Sequence, residues 1–141
     1  MHSYGPMARQ QYVLHYVIRG SGYLEYEHRC YPVKEGESFL ICPYVVVKYY
    51  PEPSDPWEYT WVDFNGSEVR QLLDAGCMSR QNPVCPLIPK ERVLPIFERL
   101  CGLDIYHRNR QEAQGLLMAL LGIYADSYPT PQPDKIGRAH V

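Results

Sequence analysis

The run Trp57-Glu-Tyr-Thr-Trp-Val-Asp-Phe64 is the stretch whose residue types and spacing most suggest chemistry. It alternates with period two, as a β-strand does, because successive side chains leave opposite faces of a sheet. One face carries Trp57, Tyr59, Trp61 and Asp63; the other carries Glu58, Thr60, Val62 and Phe64. An aromatic row with hydroxyl and carboxylate handles can form the wall of a small-molecule pocket. The same row can be plain core, which is the commoner use of buried aromatics. The strand alone leaves both readings open.

Metal chemistry in a small β-barrel needs imidazoles two residues apart, a carboxylate close behind, and a third imidazole later, all converging on one ion. The histidines here are His2, His15, His28, His107 and His140, and no two of them stand two apart. Tyr26-Glu27-His28 comes nearest and supplies one imidazole. His15 and His28 therefore read as partly buried, hydrogen-bonded residues, and neither a metal nor any other cofactor is expected. Cys30, Cys42, Cys77, Cys85 and Cys101 make an odd count without Cys-x-x-Cys spacing, which reads as free thiols in a reducing compartment. No nucleophile has a base at recognisable spacing. Gly20-Ser21-Gly22 lies between two strands and lacks the strand-to-helix setting that phosphate binding requires. No catalysis is expected.

The elements that must position these residues follow from the rest of the chain. With 141 residues and 45% hydrophobic content, it suits one domain with a real core. A net charge of −2 suggests neither a nucleic-acid surface nor an acidic tail. Thirteen tyrosines and thirteen prolines favour strands with punctuated turns. There is no apolar run near eighteen residues and no signal-peptide pattern at the start, so the expectation is a soluble cytoplasmic protein with no membrane contact.

Met1–Arg9 reads as an arm with a turn at Gly5-Pro6. Strands are then expected at Gln11–Arg19, Tyr23–Tyr26, Arg29–Val33, Ser38–Ile41, Val45–Tyr50 and Trp57–Phe64, a spacing that suits a sandwich or barrel. A short helix starts at Ser67-Glu68 and stops at Gly76, and Val84–Ile88 is a candidate edge strand. Pro95 cannot donate inside a helix, so Lys90–Val93 is read as a separate turn before a helix over Leu94–Tyr106, whose apolar positions include Leu103 and Ile105. The clearest helix is Gln111–Tyr128. Its stripe of Ala113, Leu116, Leu117, Leu120, Leu121, Tyr124 and Tyr128 can pack on the barrel or pair with a second chain. Residues 1–66 thus form a β-barrel, completed by a strand near 84–88, and 67–128 a helical part of the same domain. Residues 129–134 begin a linker. Residues 135–141 are expected to be a non-native tail, because Ile-Gly-Arg-Ala-His-Val back-translates to the start of a sequencing-adapter oligonucleotide.

Four motifs in order carry a family likeness: Tyr-Val-Leu-His-Tyr-Val-Ile-Arg-Gly-Ser-Gly from Tyr12, Tyr31-Pro-Val-Lys-Glu-Gly36, Phe39-Leu-Ile-Cys-Pro43, and the Trp57–Phe64 run. Together they resemble the N-terminal sensor domain of AraC-type transcriptional regulators. The resemblance covers Tyr12 to Tyr128. It implies a mainly β fold with C-terminal α: a cupin-like jelly-roll barrel followed by helices, the last pair packed as an antiparallel dimerisation hairpin. It also implies a non-enzymatic module of a bacterial regulator that binds a small-molecule effector, with a saccharide as the leading candidate. The partners implied are a second copy of the chain and, only through a C-terminal helix-turn-helix domain absent here, DNA. Matched by position, the sugar contacts of the arabinose-responsive member fall on Tyr49, Tyr59 and Trp61. Tyr59 stands where that member has a histidine, and Val47 replaces a histidine frequent in the family. The dimer seam implied runs along Leu116, Leu117, Leu120, Leu121 and Tyr124. A metal-dependent cupin enzyme, or a filled barrel serving dimerisation alone, stays open as an alternative.

Overall fold

The computed structural model describes residues 4–7, 10–104 and 107–131. Its strands are β1 (Tyr4–Met7), β2 (Tyr12–Arg19), β3 (Ser21–Tyr26), β4 (Arg29–Lys34), β5 (Ser38–Ile41), β6 (Val47–Pro51), β7 (Glu58–Phe64) and β8 (Val84–Cys85). The helices are α1 (Arg70–Ala75), entered through a 3-10 turn at Gly66–Val69, α2 (Lys90–Cys101) and α3 (Arg110–Ser127). Strands in the order β1-β6-β3-β4 form one antiparallel sheet, and β7-β2-β5-β8 the other.

The second sheet is the middle of three layers. Val13 and Val17 of β2 face the first sheet and pack with Leu24, Val33, Ile41 and Trp57. Leu14 and Tyr16, one residue out of phase, face the helices and pack with Val93, Phe97, Leu117 and Leu120. A strand covered on both faces must be apolar on both, which is why β2 shows no clean polar alternation.

Several boundaries differ from the sequence reading. Tyr4–Met7, expected to be an arm, pairs with β6 through Tyr4↔Tyr49 and Met7↔Val47. It is an edge strand, where the missing amide hydrogen of Pro6 can be tolerated. The strand expected over Val84–Ile88 shortens to Val84–Cys85, while Lys90–Val93 is not a separate turn: α2 runs unbroken through Pro95. One lost backbone hydrogen bond is outweighed there by the stripe Val93, Phe97 and Leu100, all buried on the middle sheet. Helix α2 ends at Cys101 with Gly102 as its cap. Ile105, Tyr106, the end of the expected linker and the tail lie outside the described residues.

Helices α2 and α3 are antiparallel, as expected. Arg99 near the end of α2 pairs with Glu112 near the start of α3 at 2.8 Å, and Arg92 near the start of α2 bonds Ser127 at the end of α3. The stripe of α3 is used inside the chain, however. Leu117, Leu120, Leu121 and Tyr124 are buried against the middle sheet and α2, and Tyr124 Oη meets Ser38 Oγ at 2.6 Å. Four of the five residues of the expected dimer seam are therefore already covered within the chain, and Leu116 is partly exposed. An amphipathic stripe reports that a face is covered and does not say by what.

Tyr16 donates to the Ile88 carbonyl at 2.7 Å across the same core. Burial, with Glu91 and Glu35 adding to it, pushes its phenol from 10.0 up to about 12. Burial also raises the phenols of Tyr26 and Tyr124. A phenol raised in the folded state contributes stability that is complete below its unfolded value and is lost as pH climbs through the folded one. The contribution of Tyr16 should therefore be complete to about pH 10 and be lost between about pH 10 and 12. Phenolate absorbance should rise in two stages, the second coinciding with loss of circular dichroism. A single stage centred near pH 10, with the fold retained, would contradict this packing.

Candidate ligand-binding site

The inner face of β7 carries the residues singled out in the sequence, and cross-strand register decides what they meet. Trp61 sits opposite His15 of β2, and His15 opposite Phe39 of β5. The three rings form a row across the inner face, with His15 stacked on Phe39 at 4.4 Å and 8°, and on Trp61 at 6.4 Å and 26°. Tyr49 comes from β6 in the facing sheet. Its hydroxyl meets His15 Nε2 at 3.2 Å, a hydrogen bond that ties the two sheets together. Tyr59 packs edge-on against Tyr49 at 6.0 Å, against His15 at 5.2 Å and against Trp61 at 6.0 Å. Tyr49, Tyr59 and Trp61 thus belong to one aromatic cluster, although they come from two strands in different sheets.

Depth distinguishes the members. Trp57 is 0% exposed and Tyr49 4%, while Trp61 is 50% exposed. Tyr59 is intermediate. The row therefore runs from the sealed Trp57 ring to Trp61, whose indole is half exposed. A half-exposed tryptophan beside ordered phenols is a site for stacking, because an apolar ring face left in water gains by being covered. Trp57, which shares the alternation, is core; it packs on Phe39 at 5.7 Å and Tyr59 at 5.6 Å. Its Nε1 has no hydrogen-bond partner among the described residues.

On the outer flank of Trp61 a groove of about 610 Å³ opens between β7, the end of α2 and the start of α3, with Asp63, Glu68, Arg110 and Gln111 along it. Tyr49 and Tyr59 do not line this groove; Trp61 stands between it and them. Asp63, which alternation puts on the inner face, is exposed at the rim.

Sequence reasoning made His15 a partly buried, hydrogen-bonded residue and gave it no place in the site. The structure puts it at the centre of the cluster, 1% exposed. The available signal was its position between Val13 and Val17, a polar ring on an inward-facing phase. Val47 is 2% exposed and apolar core. Among the described residues no three His, Cys, Asp or Glu side chains gather closely enough to hold a metal ion. No helix among them is long and apolar enough to cross a membrane. What the arrangement offers is a stacking surface with hydroxyls beside it.

Comparison with known proteins gives this geometry a context. The family described as "AraC-like ligand binding domain" matches residues 1–122. The chain is similar to the Msm operon regulatory protein of Streptococcus mutans serotype c, 31% identical over 72 residues, which are 51% of this chain and 26% of that protein. It is also similar to the lactose operon transcription activator of Staphylococcus xylosus, 38% identical over 64 residues, 45% of this chain and 23% of that one. The aligned segments thus span about a quarter of the length of these relatives.

Proposed function

The chain belongs to the AraC-like ligand binding domain family, and from that premise we propose that it is the effector-sensing and dimerising module of a bacterial transcriptional regulator, and no enzyme. The effector is a saccharide bound at Trp61, Tyr49 and Tyr59. The observation that carries this reading is the exposure of Trp61, 50%, at the end of an aromatic row that begins at the sealed Trp57. Sugar C–H groups would stack on the indole face, and the Tyr49 and Tyr59 hydroxyls would exchange hydrogen bonds with sugar hydroxyls, with Tyr49 oriented by His15. The two similar proteins, both named as operon regulators and one as a lactose operon activator, support this class of ligand. Binding would act by favouring one arrangement of the whole regulator, which requires unequal affinity for its states. DNA would be contacted through a helix-turn-helix domain outside these 141 residues.

The test is tryptophan emission against a panel of mono- and disaccharides. Trp57 is sealed in the core, so a saturable change should come from Trp61 and vanish in Trp61→Phe labelled only at Trp57. A panel that leaves the emission unmoved would count against a saccharide.

For dimerisation we propose the outer face of α3 in place of the buried stripe. Gly115, Met118, Ala119 and Gly122 lie on that face, and a Cβ added at Gly115 or Gly122 would meet nothing within 4 Å. Glycine inside a helix costs about 1 kcal/mol relative to alanine, a cost that packing within this chain does not explain. A second helix approaching closely does explain it. Gly115→Ala with Gly122→Ala should therefore raise the stability of the monomer by roughly 1–2 kcal/mol while weakening dimers at least about tenfold. Sedimentation combined with chemical unfolding reads both signs. A stabilised protein whose dimer is untouched would remove α3's outer face from the interface.

A further inference from the structure

A second cavity, of about 730 Å³, lies away from the aromatic row, and none of Tyr49, Tyr59 and Trp61 lines it. Its floor is apolar, built from Leu40, Leu73 and Met78. Its rim carries two guanidiniums. Arg70 uses Nη1 to donate to Tyr12 Oη at 3.1 Å, and Arg80 gives Nε and Nη2 to Glu27 at 3.1 and 2.7 Å. Each guanidinium has five N–H donors, so these contacts leave others directed elsewhere. Among the described residues Asp74 is the one carboxylate in the lining, and it stands 3.9 Å from Arg70. Tyr12, Ser79 and Asn82 add polar hydrogens to the same wall. Donors therefore outnumber negative groups around an oily floor.

One wall is the segment that leaves α3. Thr130 N donates to the Ala75 carbonyl at 2.7 Å, and its hydroxyl to the Asp74 carbonyl at 2.6 Å beside the Gly76 carbonyl. Cys77 N donates to the Tyr128 carbonyl at 2.8 Å. The Thr130 bonds satisfy carbonyls that the end of α1 would otherwise leave open, and with the Cys77 bond they clasp residues 128–130 to it. Thr130 and Pro131 reach the cavity itself.

We propose that this cavity is a second ligand site, independent of the saccharide reading, for an amphipathic carboxylate: the apolar body on Leu40, Leu73 and Met78, the carboxylate on Arg70 and Arg80. Such a ligand touches α1, the 76–82 loop and the exit segment together, and so holds the clasp shut. The recognition is ordinary chemistry, an apolar pocket with a few charge-assisted donors that fix one end of the ligand.

The test uses octanoate, with octan-1-ol as a neutral probe of equal chain length. Among the four methionines, Met78 is in the cavity floor and Met118 is on the open face of α3, 46% exposed. In protein carrying ¹³C-methyl methionine, octanoate should shift the Met78 signal saturably, assigned through Met78→Leu, and leave Met118 in place. Octan-1-ol, which needs no variant, should bind at least about tenfold more weakly. Arg70→Gln with Arg80→Gln should reduce octanoate affinity by a similar factor, whereas Trp61→Ala should not change it. No Met78 shift at millimolar octanoate, equal shifts at Met118, or equal binding of octanol would each overturn the proposal.

Discussion

Trp61→Ala should reduce saccharide affinity roughly ten- to hundredfold, or about 1.4–2.7 kcal/mol, while leaving the fold intact. The magnitude comes from losing an aromatic face that covers most of one side of a sugar ring, together with the apolar area it removes from water. The fold should survive because the side chain is already 50% exposed and so contributes less to the core than its size suggests. Trp61→Phe should keep much of the affinity, since it preserves a ring face in the same place. Calorimetry on the two variants separates stacking from general damage. Equal affinity in the native protein and in Trp61→Ala would move the ligand elsewhere, however well the sugar bound.

Gly22→Ala is expected to be strongly destabilising. A Cβ at Gly22 would lie 2.3–2.4 Å from three atoms of the Trp57 ring. That ring cannot swing aside: it is 0% exposed and held by Phe39 at 5.7 Å and Tyr59 at 5.6 Å. Gly22 itself is fixed in β3 between Val33 and Pro51. Overpacking a rigid core of this kind costs roughly 1–3 kcal/mol, and the upper part of that range is expected here. Because Trp57 braces Tyr59, the strained protein should also bind saccharide less well. Trp57→Phe in the same chain should restore part of the stability, making the two changes less than additive. Denaturant unfolding that gives Gly22→Ala native stability would contradict the packing of Trp57.

The strands around this site were legible because alternation and turn residues are local properties. The order of the elements, strands first and helices last, could be read in the same way. Depth along a strand could not. Trp57 and Trp61 share one phase of one strand, yet one is sealed and the other half in water. What separates them is the facing sheet, where a glycine, Gly22, makes room for the first ring. Layer count was hidden for the same reason: the α3 stripe is equally suited to a partner chain or to the outer face of a sheet, and the sheet claims it. Pro95 misled because the rule about proline concerns one hydrogen bond, whereas Val93, Phe97 and Leu100 supply a whole buried face. The family resemblance pointed to Tyr49, Tyr59 and Trp61 but not to His15, which the register of β2 with both β5 and β7 puts beside Trp61 and Phe39.

The central claim is that a saccharide binds against Trp61 with Tyr49 and Tyr59 beside it. A crystal structure grown with a sugar that passes the fluorescence panel tests this most directly. Density for one sugar ring should lie parallel to the Trp61 indole at van der Waals distance, with the Tyr49 and Tyr59 hydroxyls within hydrogen-bonding reach of it. Sugar density that leaves Trp61 uncovered, in the Arg70–Arg80 cavity or anywhere else, would contradict it.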